Sequence, residues 1–416
     1  MKTKLYVLLV IFSTPFAKAQ VTNCAEKENQ LSQFITNKDY KKANETWNDI
    51  KFSCASFSEK EYLLGSNVLQ YNIEIAAAKD KEKEVRELIK LYDQYDKNFP
   101  ENKNGNLEKR AMSLYDNKAG TNDEIFSYLD QAFDKQKTSF SNPQGLLVYF
   151  EMYFEKYKSD KSSITIEKLL NKYTSLNSLI EINSQKFTAK ASEYGRVASG
   201  IDSYLQDILV CDNLILYAQK NFENNKSDSN WLSVTAKALS VKCGNKPIFE
   251  SIALELHKIK PTAKSAYYLA TYYLNTGNQD KSIDFFKESI SLATDKLEKA
   301  TTSYTAASIL ASSDKARSKQ MILTAIENNP SNGKYYIFLA NLYANSIAEC
   351  ATNETEKKAI YKLASDTALK AIAIEPRYKT TAENMSKDYL KNVTFDSKNK
   401  LKSVHLGCWI DQTVHF

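Results

Sequence analysis

Residues 266–290 read AYYLATYYLNTGNQDKSIDFFKESI, and this stretch excludes more folds than any other part of the chain. Apolar and small residues recur in it at steps of three and four, which is typical of the buried stripe of an amphipathic helix. The stripe breaks at Gly277, a residue that readily adopts the backbone conformation of a tight turn. The pattern therefore predicts two antiparallel helices, with the aromatic side chains used for packing rather than cofactor binding. The recurring positions are Ala266, Leu269, Ala270, Tyr273, Ser282 and Phe286.

Small residues mark the place where the two helices are expected to cross. Ala270 and Ser282 stand there, because a larger side chain would hold the two backbones apart. A weaker copy of the pattern begins near residue 300 and closes at Pro330. Its matching positions are Thr305, Ala306, Ile309, Ser318 and Ile322.

A third copy covers residues 335–376 and has a longer connection between its helices. That insertion contains Cys350, and Pro376 closes the second helix. The matching positions are Tyr336, Leu339, Ala340, Tyr343 and Ala364.

Parts of similar hairpins occur nearer the N-terminus. Residues 37–50, NKDYKKANETWNDI, predict a second helix with Ala43 at the crossing and Trp47 filling the gap beside it. Residues 62–75 around Gly65 and residues 84–100 up to Pro100 predict the next pair. Residues 121–210 keep the helical period but show no repeat register.

These hairpins resemble the tetratricopeptide repeat, which has small residues at its crossing and a proline at its end. Such hairpins bury their apolar faces only against neighbouring hairpins. The sequence therefore predicts an all-α protein, a right-handed α-solenoid of TPR-like helical hairpins with a concave inner surface. We expect N-terminal hairpins in residues 20–115, a central helical region of degenerate repeats in 116–262, three repeats in 263–376, and a capping helix with a disulfide-pinned tail in 377–416.

The first nineteen residues, MKTKLYVLLVIFSTPFAKA, have the parts of an export signal. Two lysines precede an apolar run, and Ala17 and Ala19 form a small-residue cleavage site, so the mature chain is expected to begin at Gln20. The apolar run is shorter than the ~20 residues of a spanning helix, and no transmembrane segment is predicted after cleavage. Cys24 follows VTN rather than the small residues of a lipoprotein signal, which argues against a lipid anchor.

The charge of the mature chain excludes one class of partner. Removal of residues 1–19 takes away three of the 56 basic residues and none of the 50 acidic residues, which lowers the formal net charge from +6 to +3. Nucleic-acid-binding proteins carry a concentrated basic face, whereas lysines and glutamates alternate here. No nucleic-acid partner is therefore expected.

Six cysteines in an exported chain predict disulfides rather than metal ligands, since no C-x-x-C spacing occurs. Cys24 falls at the start of one predicted helix and Cys54 at the end of its antiparallel partner. Cys211 and Cys243 bracket another helical pair in the same way. Geometry predicts these two bridges, and elimination predicts the third. The predicted pairs are Cys24–Cys54, Cys211–Cys243 and Cys350–Cys408.

The C-terminal tail, LKSVHLGCWIDQTVHF, leaves the helical pattern. Val404, Leu406, Cys408 and Ile410 alternate with other residues, which favours a short strand. The last repeat of a stack leaves one apolar face uncovered, and a tail joined to the Cys350 insertion would cover it. A secretion-signal domain is the alternative, but the tail is too short for a β-sandwich, so we interpret it as a cap.

Several stretches together resemble a family of exported tetratricopeptide-repeat proteins of Bacteroidetes. They are LYDQYDKNFP, SEYGRVASGIDSYL, CDNLILYAQKNFENNKSDSNW, SAYYLATYYLNTGNQDKSI and GCWIDQTV. The resemblance implies a helical-repeat fold and an envelope or periplasmic location, and it carries no established activity. The repeats here lack the tryptophan of the general pattern and often its glycine.

No pattern of catalytic or metal-binding residues is present. Of the three histidines, His257 lies at a predicted helix end as a surface or capping side chain. H-E-x-x-H, G-x-S-x-G and G-x-x-x-x-G-K do not occur. Two carboxylate pairs, Asp93 with Asp96 and Glu84 with Glu87, fall on one helix face, as charged helices often arrange by chance. The chain is therefore predicted to be no enzyme and to need no cofactor or metal.

The inner surface of the predicted solenoid is the remaining candidate site. The first helix of each repeat lines it, so its outward-stepping side chains should face a bound peptide. Asparagine amides can hydrogen-bond an extended backbone and lysine can meet a carboxylate, although each side chain also suits an ordinary solvated surface. The set does not reproduce the two-lysine, two-asparagine clamp by which some tetratricopeptide domains hold a C-terminal carboxylate. The candidates are Lys264, Tyr267, Thr271, Asn275, Lys334, Asn341 and Asn345.

Two functions fit these features. The leading hypothesis is a non-catalytic protein–protein interaction scaffold of the periplasm or outer-membrane assembly, with a peptide or protein segment bound in the concave face. The alternative is an envelope glycan- or peptidoglycan-binding protein, which would use exposed aromatic platforms. Trp231 and Trp409 are the rings that could provide them, and both are expected to be buried.

Overall fold

The computed structural model describes residues 16–101, 105–135, 137–393 and 403–416. Twenty α-helices and two short β-strands form within these residues, and the first fifteen residues of the predicted export signal lie outside them. The elements are α1 (Phe16–Thr36), α2 (Tyr40–Ser53), α3 (Glu59–Ile75), α4 (Lys81–Asn98), α5 (Asn106–Asp116), α6 (Asn122–Lys135), α7 (Pro143–Ser159), α8 (Ile166–Lys186), α9 (Ala191–Tyr204), α10 (Cys211–Asn225), α11 (Ser229–Lys242), α12 (Pro247–Ile259), α13 (Ala263–Asn275), α14 (Gln279–Leu292), α15 (Lys296–Leu310), α16 (Lys315–Asn328), α17 (Gly333–Ala344), α18 (Ile347–Cys350), α19 (Glu354–Ile374), α20 (Lys379–Leu390), β1 (Ser403–Leu406) and β2 (Gln412–His415).

Side-chain caps fix where several helices begin. At the start of α3, the Ser58 hydroxyl accepts the N–H of Glu61, and the Glu61 carboxylate accepts the N–H of Ser58. Thr262 and Ser265 form the same reciprocal pair at the start of α13. A capping side chain satisfies a backbone donor that has no partner within the helix, and typically contributes about 1 kcal/mol.

The chain divides into two compact units, one up to Gln206 and one from Asp207 onward. In the first unit α1 packs on α2, α3 on α4, α5 on α6, and both α7 and α8 on α9. In the second unit α11 pairs with α12, α13 with α14, α15 with α16, and α17 with α19, against which α20 also packs. Each unit is a stack of helical hairpins, which confirms the predicted all-α repeat fold with a short β tail. The boundary lies inside residues 116–262, which the sequence treats as one region.

Buried serines mark the helix crossings of the second unit. Ser282 in α14 is fully buried, and its hydroxyl donates to the carbonyl of Ala270 in α13 at 2.8 Å. Ser318 in α16 donates in the same way to Ala307 in α15, also at 2.8 Å. So short a side chain reaches a neighbouring backbone only where the two helices nearly touch. The predicted crossing of Ala270 with Ser282 is confirmed.

The register predicted for α15 is wrong by one residue. The prediction places Ala306 at the crossing, whereas Ala307 occupies it. The two crossing residues of hairpin α13–α14 are twelve positions apart, with Gly277 at φ +81° in the turn. The corresponding pair in α15–α16 is only eleven apart. The spacing between crossing residues is thus one residue shorter in the hairpin without a glycine, so an alignment on hairpin α13–α14 shifts by one.

Trp47 fills a gap in the first unit, as the sequence predicts, and packs there against Gly65. Trp47 of α2 is fully buried, and its ring lies against the backbone of Gly65 in α3. A Cβ at position 65 would lie 2.5 Å from the indole ring, which is closer than any real contact allows. Ala43, one turn before Trp47, is also fully buried. The predicted packing of the N-terminal hairpin is confirmed.

All three predicted disulfides are present. Cys211 is the first residue of α10 and Cys243 caps the end of α11, as the register predicts. Cys24 lies within α1 rather than at its start, because α1 begins at Phe16. The Cα–Cα distances are 6.0, 5.3 and 5.4 Å, within the usual range. They belong to Cys24–Cys54, Cys211–Cys243 and Cys350–Cys408 in that order.

The C-terminal tail is a β-hairpin in which β1 pairs antiparallel with β2. The prediction of a single strand over 404–410 is wrong, because the chain turns after Leu406 and Cys408 lies in the turn with φ +57°. Leu406, Ile410 and Val414 are buried in a cluster with residues of α15 to α19. Cys350, the last residue of α18 in the predicted insertion, ties the hairpin down. The tail is therefore joined to the insertion, as expected, and packs on the last two repeats; its role as a cap of the stack stays a prediction.

Candidate functional site

The predicted binding residues lie on α13 and α17, the first helices of two hairpins in the second unit, and α15 is the first helix of the hairpin between them. These helices are neighbours: Lys334 of α17 has its Nζ 4.4 Å from the ring centroid of Tyr304 in α15. Ala270 of α13 and Ala306 of α15 belong to one buried cluster. We define the first-helix face by the side chains that these helices turn outward. They are Lys264, Tyr267, Thr271 and Asn275 of α13, Thr301, Tyr304 and Ser308 of α15, and Lys334, Asn341 and Asn345 of α17.

Two of the predicted residues on α13 are exposed. Lys264 lies in the first turn of the helix and Asn275 is its last residue. The Asn275 amide donates to the carbonyl of Gly244 at 3.3 Å, across the loop that precedes α12. Asn275 therefore joins two hairpins although its side chain is exposed.

The other two residues of α13 take part in packing. Tyr267 is half-buried, and its ring meets Phe286 of α14 edge to face at 5.7 Å. The Thr271 hydroxyl donates to the carbonyl of Tyr268 in the same helix at 2.8 Å. Both side chains are only partly exposed on the first-helix face. They contribute packing to this face rather than free hydrogen-bonding groups.

The three predicted residues on α17 are all exposed. Lys334 extends over the ring of Tyr304 in the preceding hairpin. Asn341 accepts a hydrogen bond of 2.9 Å from the hydroxyl of Tyr389 in α20. Asn345 caps the end of α17, and its N–H donates to the Asn341 carbonyl at 2.9 Å. Aromatic neighbours on both sides thus hold the polar groups of α17 in place.

The sequence missed the contribution of α15. Thr301 and Ser308 are exposed and Tyr304 is half-buried between the outer helices. Lys264 stands six residues before the crossing residue of α13, and Thr301 stands six residues before Ala307. The shift of one residue in the predicted register concealed this correspondence. Ala307, a small residue eleven positions before Ser318, was the signal in the sequence that could have corrected the predicted register.

His257 joins three helices and does not present a catalytic base. Its Nδ1 lies 2.9 Å from Ser265 Oγ, and its Nε2 lies 3.1 Å from Glu288 Oε1. This order resembles a serine–histidine–acid array. Ser265, however, is fully buried, and its hydroxyl accepts the N–H of Thr262 at 2.8 Å as part of the α13 cap. The network ties α12, α13 and α14 together, and no substrate can approach the serine.

The carboxylate pair on α4 has a structural role. Asp93 and Asp96 lie 3.0 and 2.6 Å from the guanidinium of Arg110 in α5, which is 6% exposed. Burial of an arginine demands such partners, since an unpaired charge away from water is costly. In the second predicted pair, Glu87 forms a surface ion pair of 2.8 Å with Lys90. Neither pair has the shared, enclosed arrangement that acid–base catalysis uses.

A cleft of about 320 Å³ in the first unit, between α3, α4 and α5, is a further concave site that the sequence did not indicate. Glu108 on its wall is buried and accepts the N–H groups of Ser141 and Asn142 at 3.0 and 2.6 Å. Burial raises the pKa of this carboxyl in spite of the two hydrogen bonds. The cleft wall thus holds the segment that starts α7. Its lining comes from separate helices without a common spacing, which explains why no motif marked it.

Lys172 lies inside an aromatic cage in the first unit. Its Nζ is 4.5 Å from the ring centroid of Phe133, 5.0 Å from Tyr149 and 5.2 Å from Tyr153. It also donates to the Tyr149 hydroxyl at 2.6 Å. Burial lowers the pKa of Lys172 and raises that of Tyr149, whose hydroxyl in turn donates to Asp130. The Lys172 ammonium group itself occupies the space between these rings, and it links α6, α7 and α8.

The two tryptophans considered for stacking differ in burial. Trp231 is buried, as predicted, and its Nε1 donates to the Tyr217 hydroxyl at 3.0 Å. The prediction that Trp409 is buried is wrong: it is half-buried, because the tail turns at the surface. Its indole stacks on Tyr343 at 6.1 Å, and its Nε1 donates to Glu349 at 3.3 Å.

The described ranges, 16–101, 105–135, 137–393 and 403–416, offer neither a metal-binding cluster nor a membrane-spanning helix. No group of three histidine, cysteine, aspartate or glutamate side chains is placed there to hold a metal ion. No helix in those ranges combines the length and apolar character needed to cross a bilayer.

Comparison with known proteins finds structural likeness at low sequence identity. A chain of the crystal structure of the APC/C hetero-tetramer Cut9–Hcn1 aligns with TM-score 0.31 and 11% identity over 90% of this chain and 85% of that chain. The crystal structure of yeast Tom70 aligns with TM-score 0.26 and 12% identity over 89% and 96%. A chain of Naa15/Naa10 bound to HypK-THB aligns with TM-score 0.23 and 13% identity over 91% and 69%. No family model and no curated protein matches the sequence.

Proposed function

We propose that the chain is a non-catalytic interaction scaffold that binds an extended segment of a partner protein along the first-helix face. The observation that carries the proposal is the continuity of this face over three neighbouring helices. Lysine, asparagine, threonine and serine side chains lie exposed at matching positions above a layer of packed aromatic rings. Amide and hydroxyl groups can both donate and accept hydrogen bonds, which suits the backbone of an extended peptide.

Several of these groups are held in place before any partner arrives. The Tyr389 hydroxyl orients the Asn341 amide, and the ammonium group of Lys334 lies over the Tyr304 ring. Asn275 is fixed by the carbonyl of Gly244. Side chains that are already ordered lose less conformational entropy on binding, so the same contacts give tighter association.

Site-specific photo-crosslinking tests the proposal. Thr301 or Ser308 is replaced, one at a time, by a photoreactive amino acid in the full chain, which is produced in its native host. Irradiation is expected to attach a partner protein at both positions. Mass spectrometry should map the attached residues to one contiguous segment of that partner, because both positions lie on the same helix of the face.

Glu327 on α16 supplies the matched control. It is exposed on a second helix of the same hairpin, so a photoreactive residue there should not capture the same segment. Capture of that segment from position 327 as well, or of no polypeptide from positions 301 and 308, would contradict the proposal.

We further propose that the mature chain works outside the cytoplasm, in the periplasm or at the outer membrane. The N-terminal sequence pattern and the three disulfides support this location, because disulfides persist in oxidising compartments. Fractionation of cells should place the protein with periplasmic or outer-membrane markers. Recovery with cytosolic markers, and with reduced cysteines, would contradict the location.

The glycan-binding alternative receives little support from the aromatic side chains. Trp47 and Trp231 are buried, and one face of Trp409 is covered by Tyr343. Titration with purified envelope polysaccharide is therefore expected to leave the tryptophan fluorescence unchanged. Quenching that saturates with polysaccharide, and that is lost in Trp409→Phe, would favour the alternative.

A further inference from the structure

Charge is distributed unequally between the two sets of helices in the second unit. The first helices of this face, α13, α15 and α17, contain four lysines and a single acidic residue, Glu298. The second helices of the same hairpins, α14, α16 and α19, contain seven acidic and nine lysine or arginine residues. The near balance of the whole chain thus conceals an excess of positive charge on the helices that form the first-helix face.

The acidic residues next to the first helices are already engaged. Asp228 precedes α11, and its carboxylate accepts the N–H groups of Asn230 and Trp231 at 2.9 and 3.1 Å. Asp295 precedes α15 and accepts the N–H of Glu298 at 2.7 Å. Both carboxylates serve as helix caps, and neither forms a described ion pair with Lys264 or Lys334.

Helix stability does not account for this arrangement. Lys264, Lys296 and Lys334 each lie in the first turn of a helix, where the positive end of the helix dipole disfavours a cation by about 0.3–1 kcal/mol. Neither α13 nor α17 has an acidic residue in its first turn. In α15, by contrast, Glu298 lies in the same turn as Lys296. Lys264 and Lys334 therefore occupy positions that are locally unfavourable for folding.

We infer that the partner segment is acidic; this rests on the proposed function, whose binding face it shares. Lys264 and Lys334 occupy equivalent places on α13 and α17, six residues before the crossing residue of each helix. The intervening α15 has a diameter of ~10 Å with its side chains, so one carboxylate cannot contact both lysines. The segment therefore presents aspartate or glutamate side chains at several points along its length, rather than one terminal carboxylate.

Peptide binding to the full chain tests this inference. Three fluorescent peptides of about twelve residues are long enough, when extended, to pass over three helices. They repeat Glu-Ser-Leu, Gln-Ser-Leu or Lys-Ser-Leu and are blocked at both ends, which removes any terminal carboxylate. Fluorescence anisotropy should show that the acidic peptide binds at least about tenfold more tightly than the neutral one, with an affinity that falls as salt is added.

A pair of double variants locates the effect. Lys264→Ser with Lys334→Ser removes two charges from the first-helix face and should weaken acidic-peptide binding about tenfold. Lys287→Ser with Lys370→Ser removes the same charge from exposed positions on α14 and α19, and should change binding less than about twofold. Circular dichroism of each variant confirms that the helices are retained.

The outcomes separate this inference from the proposed function. Equal binding of the neutral and acidic peptides would overturn the inference that the partner segment is acidic. The proposal that the face binds extended chains would still stand. An equal loss of affinity in both double variants would also overturn the inference, because it would show attraction to the net charge of the molecule. Binding of none of the peptides would do the same, while the photo-crosslinking of positions 301 and 308 decides the proposed function independently.

Discussion

Single hydroxyl groups set the close approach of the helices in the second unit. Ser282, Ser289 and Ser318 are buried, and each donates to a backbone carbonyl of the other helix in its hairpin, Ser289 doing so to Ala263 at 2.8 Å. A serine at these places is small enough for the crossing and also satisfies its own polar group. An alanine would meet only the first requirement, and a leucine neither.

Substitution of Ser282 separates these two contributions. Ser282→Ala loses one buried hydrogen bond and should lower the free energy of unfolding by about 1 kcal/mol. Ser282→Leu must also force the helices apart, which adds about 1–3 kcal/mol. Urea unfolding followed by circular dichroism measures both. Ser308→Leu, at an exposed position of α15, is the control and should stay within about 0.5 kcal/mol of the wild type. A leucine variant at 282 as stable as the alanine variant would show that the crossing is not tightly packed.

Tyr343 makes the second unit sensitive to alkaline pH. Burial raises its pKa to about 12, whereas an unfolded tyrosine titrates near 10. The folded state therefore keeps the proton that the unfolded state loses, so this contribution to stability is present below pH 10 and is lost as the pH rises towards 12. Between pH 9 and pH 12 the wild type should lose about 2 kcal/mol more than Tyr343→Phe. Urea midpoints at both pH values measure the difference, and equal losses in the two proteins would contradict it.

The sequence predicts individual positions well where a special residue fixes the spacing. Gly277 sets the turn of hairpin α13–α14, so both crossing residues, Ala270 and Ser282, were placed correctly. In α15 the turn has no glycine, and alanines at both 306 and 307 fit a crossing equally well by composition. Only the position of the Ser318 hydroxyl distinguishes them, and that is a property of three-dimensional packing.

At the level of secondary-structure elements, the C-terminal hairpin shows how a short segment gains stability from what it covers. Two strands of four residues form no stable structure alone. Here Leu406, Ile410 and Val414 are buried against α15 to α19, and Lys319 of α16 donates to the carbonyl of Ile410. The sequence predicted that the tail covers the last repeat, and it predicted one strand where the structure has two. The alternating pattern continues through the turn at Cys408 without a break in apolar spacing, so it does not reveal the turn.

Removal of the Cys350–Cys408 bridge should destabilise this hairpin selectively. The bridge closes a loop of 58 residues, and its loss in Cys350→Ser with Cys408→Ser should cost about 4 kcal/mol if chain entropy dominates. Incorporation of 5-fluorotryptophan gives one ¹⁹F signal for each of the three tryptophans. In urea the signal of Trp409 should report unfolding at a lower concentration than in the wild type, while that of Trp47 should not change.

The other terminal bridge provides the matched comparison. Cys24→Ser with Cys54→Ser should lower the urea concentration at which the Trp47 signal changes and leave the Trp409 signal as in the wild type, because Trp47 and this bridge belong to the first unit. If both pairs of substitutions moved both signals equally, the hairpin would not be a locally stabilised element.

On the scale of the whole molecule, the repeat pattern predicts where a binding face lies better than what binds there. The candidates on α13 and α17 belong to one face, and α15 was missed only through its register. The charge excess of that face was not evident, because lysines and acids balance over the chain and separate only when first and second helices are counted apart. The cleft of the first unit was missed because residues far apart in sequence line it.

The division at Gln206 predicts that the two units fold independently. No disulfide crosses this boundary: Cys24–Cys54 lies before it, and Cys211–Cys243 and Cys350–Cys408 lie after it. Separately produced fragments 20–206 and 207–416 should each retain a helical circular dichroism spectrum. The ¹⁹F signal of Trp47 should appear in the first fragment, and those of Trp231 and Trp409 in the second, at the shifts seen in the full chain.

A cut at another place shows whether the position of the boundary matters. Fragment 207–328 ends after α16 and lacks the helices and tail that complete the last buried cluster of the second unit, so it should expose apolar surface and aggregate or unfold. Hairpins of a stack depend on their neighbours, and for that reason a cut within a unit removes stability that a cut between units preserves. Loss of helical structure in either fragment 20–206 or fragment 207–416 would show that the two units form one cooperative fold. A folded fragment 207–328 would show that each hairpin needs fewer neighbours than the buried cluster implies.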